Sequence, residues 1–209
     1  FGSRMNITSK SPESGHLGDA NVGGDFGAEL VKSGMSHLVI KGKSKNPIYL
    51  LIKNGKVEIR DAQKLKGLDT VETQKRIRQE LGDERVQVAC IGLAGENLVR
   101  FAAIRTGLKN SAARTGLGAV MGSKNLKAVM VHGDSNYLLP ENKEYVKVFD
   151  KVYKDMTDTD MMSKYHNLGT PGNVRVMNDL KALPIRNLQA TADPATEGIT
   201  GERFAEVAL

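Results

Sequence analysis

The sequence predicts an α+β protein: a β-rich N-terminal domain of mixed sheets and short helices, followed by the start of a mostly helical second domain. Three observations predict it. From Phe1 to about Asp134, glycines punctuate short β-branched runs; Asn54-Gly55 sits between two such runs; and beyond Pro140 the pattern changes to charged, amphipathic stretches. A boundary is expected within residues 133–139, dividing the chain into 1–136 and 137–209.

The first element is a strand-like run, Ser3 to Thr8, on which the chain opens without a lead-in and with Phe1 in place of Met. Residues 38–41, Leu38-Val39-Ile40-Lys41, are a strand candidate. Residues 48–53 and 56–60 flank Asn54-Gly55, a dipeptide that supplies the positive φ angles of a type I′ turn, so a β-hairpin is expected there. Asp69-Thr70 followed by Val71, Ile77 and Leu81 fits an N-capped amphipathic helix that Gly82 ends. Residues 86–91 read as a buried strand, 92–97 as a glycine turn, and 98–103 as another strand. A short helix is expected within 116–126 and a strand over 127–131. Tyr145, Val148, Phe149, Val152 and Met156 recur at helical spacing, and a further helix is expected over 171–180. The last nine residues read as a helix cut after two turns, so both ends are expected to be truncations.

Composition excludes several classes. No run approaches the ~18 consecutive apolar residues of a membrane helix, and no secretory signal opens the chain, so a cytoplasmic protein with no membrane partner is expected. The net charge of +6 comes from 30 Lys and Arg interleaved with 24 acids, and five Phe, five Tyr and no Trp make a poor base-stacking platform. Nucleic acid is not an expected partner. The single cysteine, Cys90, lies in an apolar run and reads as a core residue, leaving neither a disulfide nor a thiolate metal site. His16, His37, His132 and His166 lack metal-ligand spacing and read as surface or satisfied core residues, and no G-x-S-x-G elbow is present. Any chemistry must therefore come from a cofactor.

Three glycine-rich stretches are where one would sit. Residues 18–27 lead into a helical pattern, where glycine backbone lets N–H groups approach an anion; an ordinary turn is the alternative. Residues 110–124 put small residues and cations beside a helix start, but Gly122-Ser123-Lys124 breaks the G-x-x-x-x-G-K-[ST] spacing, so a nucleotide triphosphatase is not indicated. Residues 92–97 are explained by turn geometry.

At these stretches the chain resembles the aldehyde ferredoxin oxidoreductase family of tungsten-pterin enzymes, whose relatives include the tungsten subunit of benzoyl-CoA reductase. The resemblance rests on Arg4 with Asn6-Ile7-Thr8-Ser9-Lys10-Ser11-Pro12, on Asn21-Val22-Gly23-Gly24 with Phe26-Gly27-Ala28-Glu29-Leu30, on the run from Gly92 to Ile104, and on the run from Gly116 to Ala128. It implies a first domain of two similar halves forming the base for tungsten (or molybdenum) held by two molybdopterin-type pterins. It implies aldehyde oxidation, with electrons leaving through a [4Fe-4S] cluster, bound by residues absent from this chain, to ferredoxin or another electron-transfer protein. The fragment alone is then expected to be inactive. An aromatic acyl-CoA in place of the aldehyde is an alternative, a non-enzymatic polyanion-binding module a more distant one, and the family allows a homodimer.

Residue by residue, the resemblance matches Arg4 to a pterin-bonding arginine, where a guanidinium suits an anionic or carbonyl partner. It matches Asn21 and Gly23 to the phosphate side, with Asn21 a magnesium ligand through oxygen. The segment Asn110-Ser111-Ala112-Ala113 aligns with a second pterin loop that more usually reads Arg-Ala-Ala-Gly, and Asn110, Ser111 and Ala113 are its candidate contacts. Asn110 departs from that pattern, and Arg114 keeps the next arginine.

Overall fold

The computed structural model describes residues 4–135 and 143–208. The chain divides into two units, 1–138 and 139–209. The expected boundary at 136/137 lies outside the described residues.

In the first unit, β1 (Met5–Lys10) and β2 (Leu17–Val22) form an antiparallel hairpin, followed by α1 (Phe26–Lys32). Next come β3 (Ile48–Lys53) and β4 (Lys56–Asp61), joined as expected by a tight turn in which Asn54 and Gly55 both have positive φ, 48° and 77°. The helix α2 (Thr70–Leu81) starts where Asp69 accepts from the backbone N–H groups of Val71 and Glu72, each at 2.8 Å, and ends on left-handed Gly82. The remaining elements are β5 (Gln87–Cys90), α3 (Leu93–Glu96), β6 (Ile104–Thr106), β7 (Asn110–Ala112), α4 (Leu117–Ser123) and β8 (Leu126–His132).

Strands β3 to β8 make one mixed sheet of order β4-β3-β8-β5-β6-β7, in which β3 and β8 pair in parallel and the other pairs are antiparallel. Side chains alternate between two cores. Leu50, Ile52, Ala89, Val129 and Val131 face a core shared with Ala20, Val22, Phe26 and Leu30, whereas Tyr49, Leu51, Val88, Cys90 and Met130 face one completed by Ile77 of α2. Central β8 is buried at every position, which is why its sequence reads as a continuous run and not as an alternation. The order hairpin then helix occurs twice, as β1-β2-α1 and as β6-β7-α4.

Three expectations are corrected. Residues 38–41 form no strand: Leu38 and Ile40 pack on the core and Val39 is exposed, so the alternation is real, but no ladder partner lies beside them among the described residues. Residues 98–103 are not a strand either. Leu98 has φ 57° and the segment turns through Val99 N–H to Ala94 O and Ala102 N–H to Val99 O; the strand begins at Ile104. Finally, the turn expected at 92–97 contains a full helical turn, α3, because Gly95 lets it lie backbone to backbone on α4, where a Cβ on Gly122 would sit 1.9 Å from the Gly95 carbonyl oxygen.

The second unit contains α5 (Lys143–Thr157), α6 (Asp160–Leu168), α7 (Val174–Asp179) and α8 (Gly201–Val207). The expected helix over 171–180 is divided into a helical turn, Thr170–Asn173, and α7. Helix α6 was not anticipated, although Thr159, which accepts from Met162 N–H, is an ordinary N-cap. On α5 no residue is buried, and Tyr145, Phe149 and Tyr153 stack along one face with ring centroids 6.4 and 6.1 Å apart. Among the described residues no helix is long and apolar enough to cross a membrane.

Candidate cofactor-binding site

The alternation of the β1–β2 hairpin buries Ala20 and Val22 and exposes Arg4, Asn6 and Asn21 on its outer face. Asn6 and Asn21 are directly paired across the hairpin. The Asn21 amide nitrogen donates to Asn6 Oδ1 at 2.6 Å, which turns its oxygen outward, and Arg4 Nε donates to that oxygen. Arg4 Nη2 also donates to the Asn21 carbonyl at 3.3 Å. Both oxygens of Asn21 therefore face a guanidinium.

Beyond Asn21 the chain narrows to backbone at Gly23 and Gly24. A Cβ on Gly23 would lie 3.5 Å from Arg4 Nη1 and 4.0 Å from Asn110 Oδ1, and one on Gly24, whose φ is +93°, would lie 2.5 Å from Asn110 Nδ2. Arg4, Asn21, Gly23 and Asn110, far apart in sequence, thus converge. Ser111 continues β7 from Asn110 and donates its hydroxyl to Ile104 O at 3.4 Å. Ala113 and Arg114 are exposed and sit at the other end of the hairpin. The next residue, Thr115, has Oγ1 2.6 Å from where a Gly18 Cβ would be, and its carbonyl accepts from the Ser11 hydroxyl at 2.9 Å. No described hydrogen bond or ion pair joins Arg114 to the Arg4–Asn21 cluster.

The glycines of the second stretch have a packing role. At Gly116, where φ is +71°, a Cβ would lie 1.7 Å from Arg100 O, and at Gly118 2.6 Å from Ala103 O. They seat α4 against the 100–103 segment, so this loop's small residues are required by the fold itself.

Two residues of the quoted motifs had no site role assigned from the sequence. Asn6 fixes the orientation of Asn21, and Gly24 gives the Asn110 amide its space; adjacency to Asn21 across a hairpin and to Gly23 along the chain was the available signal. His132, expected to be satisfied, is buried, with Nε2 2.8 Å from Asp134 Oδ1 but with Nδ1 lacking a hydrogen-bond partner, 3.5 Å from Glu29 Oε1. Cys90 is a core residue as expected, and burial pushes its thiol up to about 12. Among the described residues no group of three or more His, Cys, Asp and Glu side chains is arranged to hold a metal ion. What the site offers is a shallow polar face with a guanidinium, amide groups and bare glycine backbone, suited to a large anionic ligand gripped by hydrogen bonds.

This arrangement lies within residues 1–133, which match the family model described as aldehyde ferredoxin oxidoreductase, N-terminal domain. The chain belongs to the aldehyde ferredoxin oxidoreductase family. It is 40% identical over 205 residues to the tungsten-containing aldehyde ferredoxin oxidoreductase of Pyrococcus furiosus, covering 98% of this chain and 34% of that protein. It is 39% identical over 204 residues to the aliphatic sulfonate oxidoreductase, WOR-like subunit, of the same organism, covering 90% of this chain and 32% of that one. The chain thus spans about a third of the length of these relatives. Among solved structures, the active site complex BamBC of benzoyl coenzyme A reductase, in complex with 1,5 dienoyl-CoA, matches with a TM-score of 0.78 and 34% identity, covering 98% of this chain and 33% of that one.

Proposed function

We propose that the β1–β2 hairpin and β7 form the base of a tungsten-pterin site in an enzyme that oxidises aldehydes to carboxylic acids and delivers electrons through a [4Fe-4S] cluster to ferredoxin. The observation that carries this reading is the convergence of Arg4, Asn21, Gly23 and Asn110 on one face, with glycine at the positions where a Cβ would meet the Arg4 and Asn110 side chains. When bound, the metal-pterin supplies the oxo-transfer and redox chemistry. This chain's own groups bind and orient it. Arg4 donates to an anionic or carbonyl group of the pterin, the bare Gly23-Gly24 backbone admits the phosphate side, and Asn110 and Ser111 flank it.

Asn21 is the proposed magnesium ligand, as an amide oxygen suits a hard cation. Because Arg4 holds both Asn21 oxygens, that role requires the guanidinium to turn from Asn21 to the cofactor, leaving Asn6 to keep the amide in place. Ala113 and Arg114 contribute at the far end of the hairpin. The division at 136/137 separates this base from the start of a helical domain, and cluster ligands come from outside this chain, whose single thiol is buried. A cytoplasmic location and a homodimer belong to the same proposal.

A second reading keeps the cofactor and changes the substrate to an aromatic acyl-CoA, favoured by the 34% identity to the benzoyl coenzyme A reductase complex. The test is tungsten and pterin analysis of the full-length enzyme that carries this segment, with Arg4 and Asn21 intact or replaced by Ala, alongside aldehyde-dependent viologen reduction. Metal and pterin content that falls in both variants supports the reading. Unchanged content, or a protein that never carries tungsten, overturns it.

A further inference from the structure

The apolar face of the main sheet is left open at its β4 edge. Leu50 and Ile59 pair directly across the β3–β4 hairpin and so point to the same side, yet Leu50 is 8% exposed and Ile59 70%. Leu38 and Ile40 pack on the core, but among the described residues nothing covers Ile59. A cavity of about 340 Å³ occupies this step, lined on its apolar side by Ile40, Ile48, Leu50, Ile59 and Leu126. That volume falls at the lower end of small-molecule sites, about 300–1,000 Å³.

The other side of the cavity is cationic. Lys41, Lys43 and Lys124 line it, and no Asp or Glu does. The loop that carries the first two is fastened to the end of α4. Gly42, at φ +78°, accepts from Lys124 Nζ at 3.0 Å; Ser44 N–H donates to Lys124 O at 3.1 Å; and Asn125 Nδ2 donates to Ser44 O at 2.7 Å. An ammonium has three N–H donors, so the half-buried Lys124 keeps two for a ligand. None of the three lysines forms an ion pair among the described residues. Asp61, on the same face of β4 as Ile59, commits its carboxylate to the Gln63 backbone N–H at 3.0 Å.

We infer that this cavity binds a small amphiphilic carboxylate, its apolar body on Leu50, Ile59 and Leu126 and its carboxylate on the Lys124 ammonium, with Lys41 and Lys43 completing the positive rim. A bare anion would leave Ile59 in water, and an uncharged apolar molecule would leave three ammonium groups without a partner. No residue of the cavity belongs to the Arg4, Asn21, Gly23 and Asn110 face, so its ligand is independent of the tungsten-pterin reading.

The test is calorimetric titration of the full-length enzyme that carries this segment with octanoate, hexanoate, acetate and octanamide at constant ionic strength. Octanoate is expected to bind about tenfold more tightly than hexanoate, since each buried methylene contributes roughly fourfold, and more tightly than octanamide, which lacks the charge. Ile59→Glu and Lys124→Gln are each expected to weaken octanoate binding about tenfold or more. Ile59 is exposed, so its replacement alters the cavity without disturbing the core. Lys64→Ala, an exposed lysine elsewhere, should leave binding unchanged, and far-UV circular dichroism establishes that each variant is folded. Four results would each overturn the inference: no octanoate binding; acetate binding as tightly as octanoate, which is surface charge alone; octanamide binding as tightly, which is an apolar patch alone; or octanoate binding that survives both Ile59→Glu and Lys124→Gln, which puts the ligand elsewhere, the substrate site included. Because Arg4 and Asn21 are untouched, these results and those of the cofactor analysis fail or succeed separately.

Discussion

Lys127 and Glu96 form an ion pair inside the first unit, and replacing Lys127 with Met tests what that pair contributes. The Lys127 side chain is 2% exposed and its ammonium also donates to Leu68 O at 2.8 Å, while Glu96, 18% exposed, accepts from Gly67 N–H at 2.9 Å. Breaking a buried pair from one side costs about 3–5 kcal/mol, because the remaining charge is left uncompensated. In Lys127→Met the orphan is Glu96, which keeps the Gly67 bond and some solvent, so about 3 kcal/mol is expected. In Glu96→Gln the orphan is the more deeply buried ammonium, and the loss should be nearer 5 kcal/mol. The double variant leaves no charge behind and should be more stable than the sum of the singles implies by at least about 1 kcal/mol. Urea denaturation followed by circular dichroism measures all three, with an unchanged slope as the check on two-state behaviour. A Lys127→Met cost below about 1 kcal/mol, additive with that of Glu96→Gln, is the behaviour of an exposed pair and would refute the reasoning.

Other perturbations separate further parts of the fold. Gly122→Ala drives a methyl into the Gly95 carbonyl and should cost roughly 3 kcal/mol, whereas Gly67→Ala, at φ +80° with open space around it, should cost only about 1 kcal/mol; thermal melts of the two decide it. Cys90, its thiol raised to about 12 by burial, should resist a disulfide reagent at pH 8 in the native protein and react at once in denaturant. Since the unfolded thiol ionises near its ordinary 9.0 and the folded one does not, its contribution to stability should fall as pH rises above 9.0. The Asp83 carboxyl, lowered to about 2 by the Arg85 side chain and then by the Arg85 backbone N–H, should titrate by NMR well below 3.8, and Arg85→Ala should move it back up. Because the folded value is the depressed one, the Asp83 contribution is present above pH 3.8 and is lost as pH falls toward 2.

Local chemistry was legible wherever a residue's own backbone preference decides the outcome. Asn54-Gly55 specified its turn, Asp69 and Gly82 bracketed α2, and the apolar run around Cys90 was the buried strand it resembled. Two strands were misread for one reason. Residues 38–41 and 98–103 carry suitable side chains, but a strand is a pair of hydrogen-bonded neighbours, and among the described residues neither segment has a ladder partner.

The candidate site divides in the same way. The amino-acid sequence by itself determined the α+β class, the motifs that carry the family resemblance, and the residues Arg4, Asn21, Gly23 and Asn110 as candidates. The class followed from turn, cap and glycine signals that act over a few neighbouring positions, and the candidate residues from the family resemblance carried by those motifs. Only the tertiary structure decided that Asn110 meets Gly24 while Arg114 sits at the opposite end of the hairpin, and that Asn6 orients Asn21. It also decided that Gly116, Gly118 and Gly122 are spaces for neighbouring backbone, and that Ile40, Ile59 and Lys124 share a cavity. These are contacts between segments tens of residues apart, fixed by sheet register and by how closely α3 can lie on α4, and no window along the chain contains both partners.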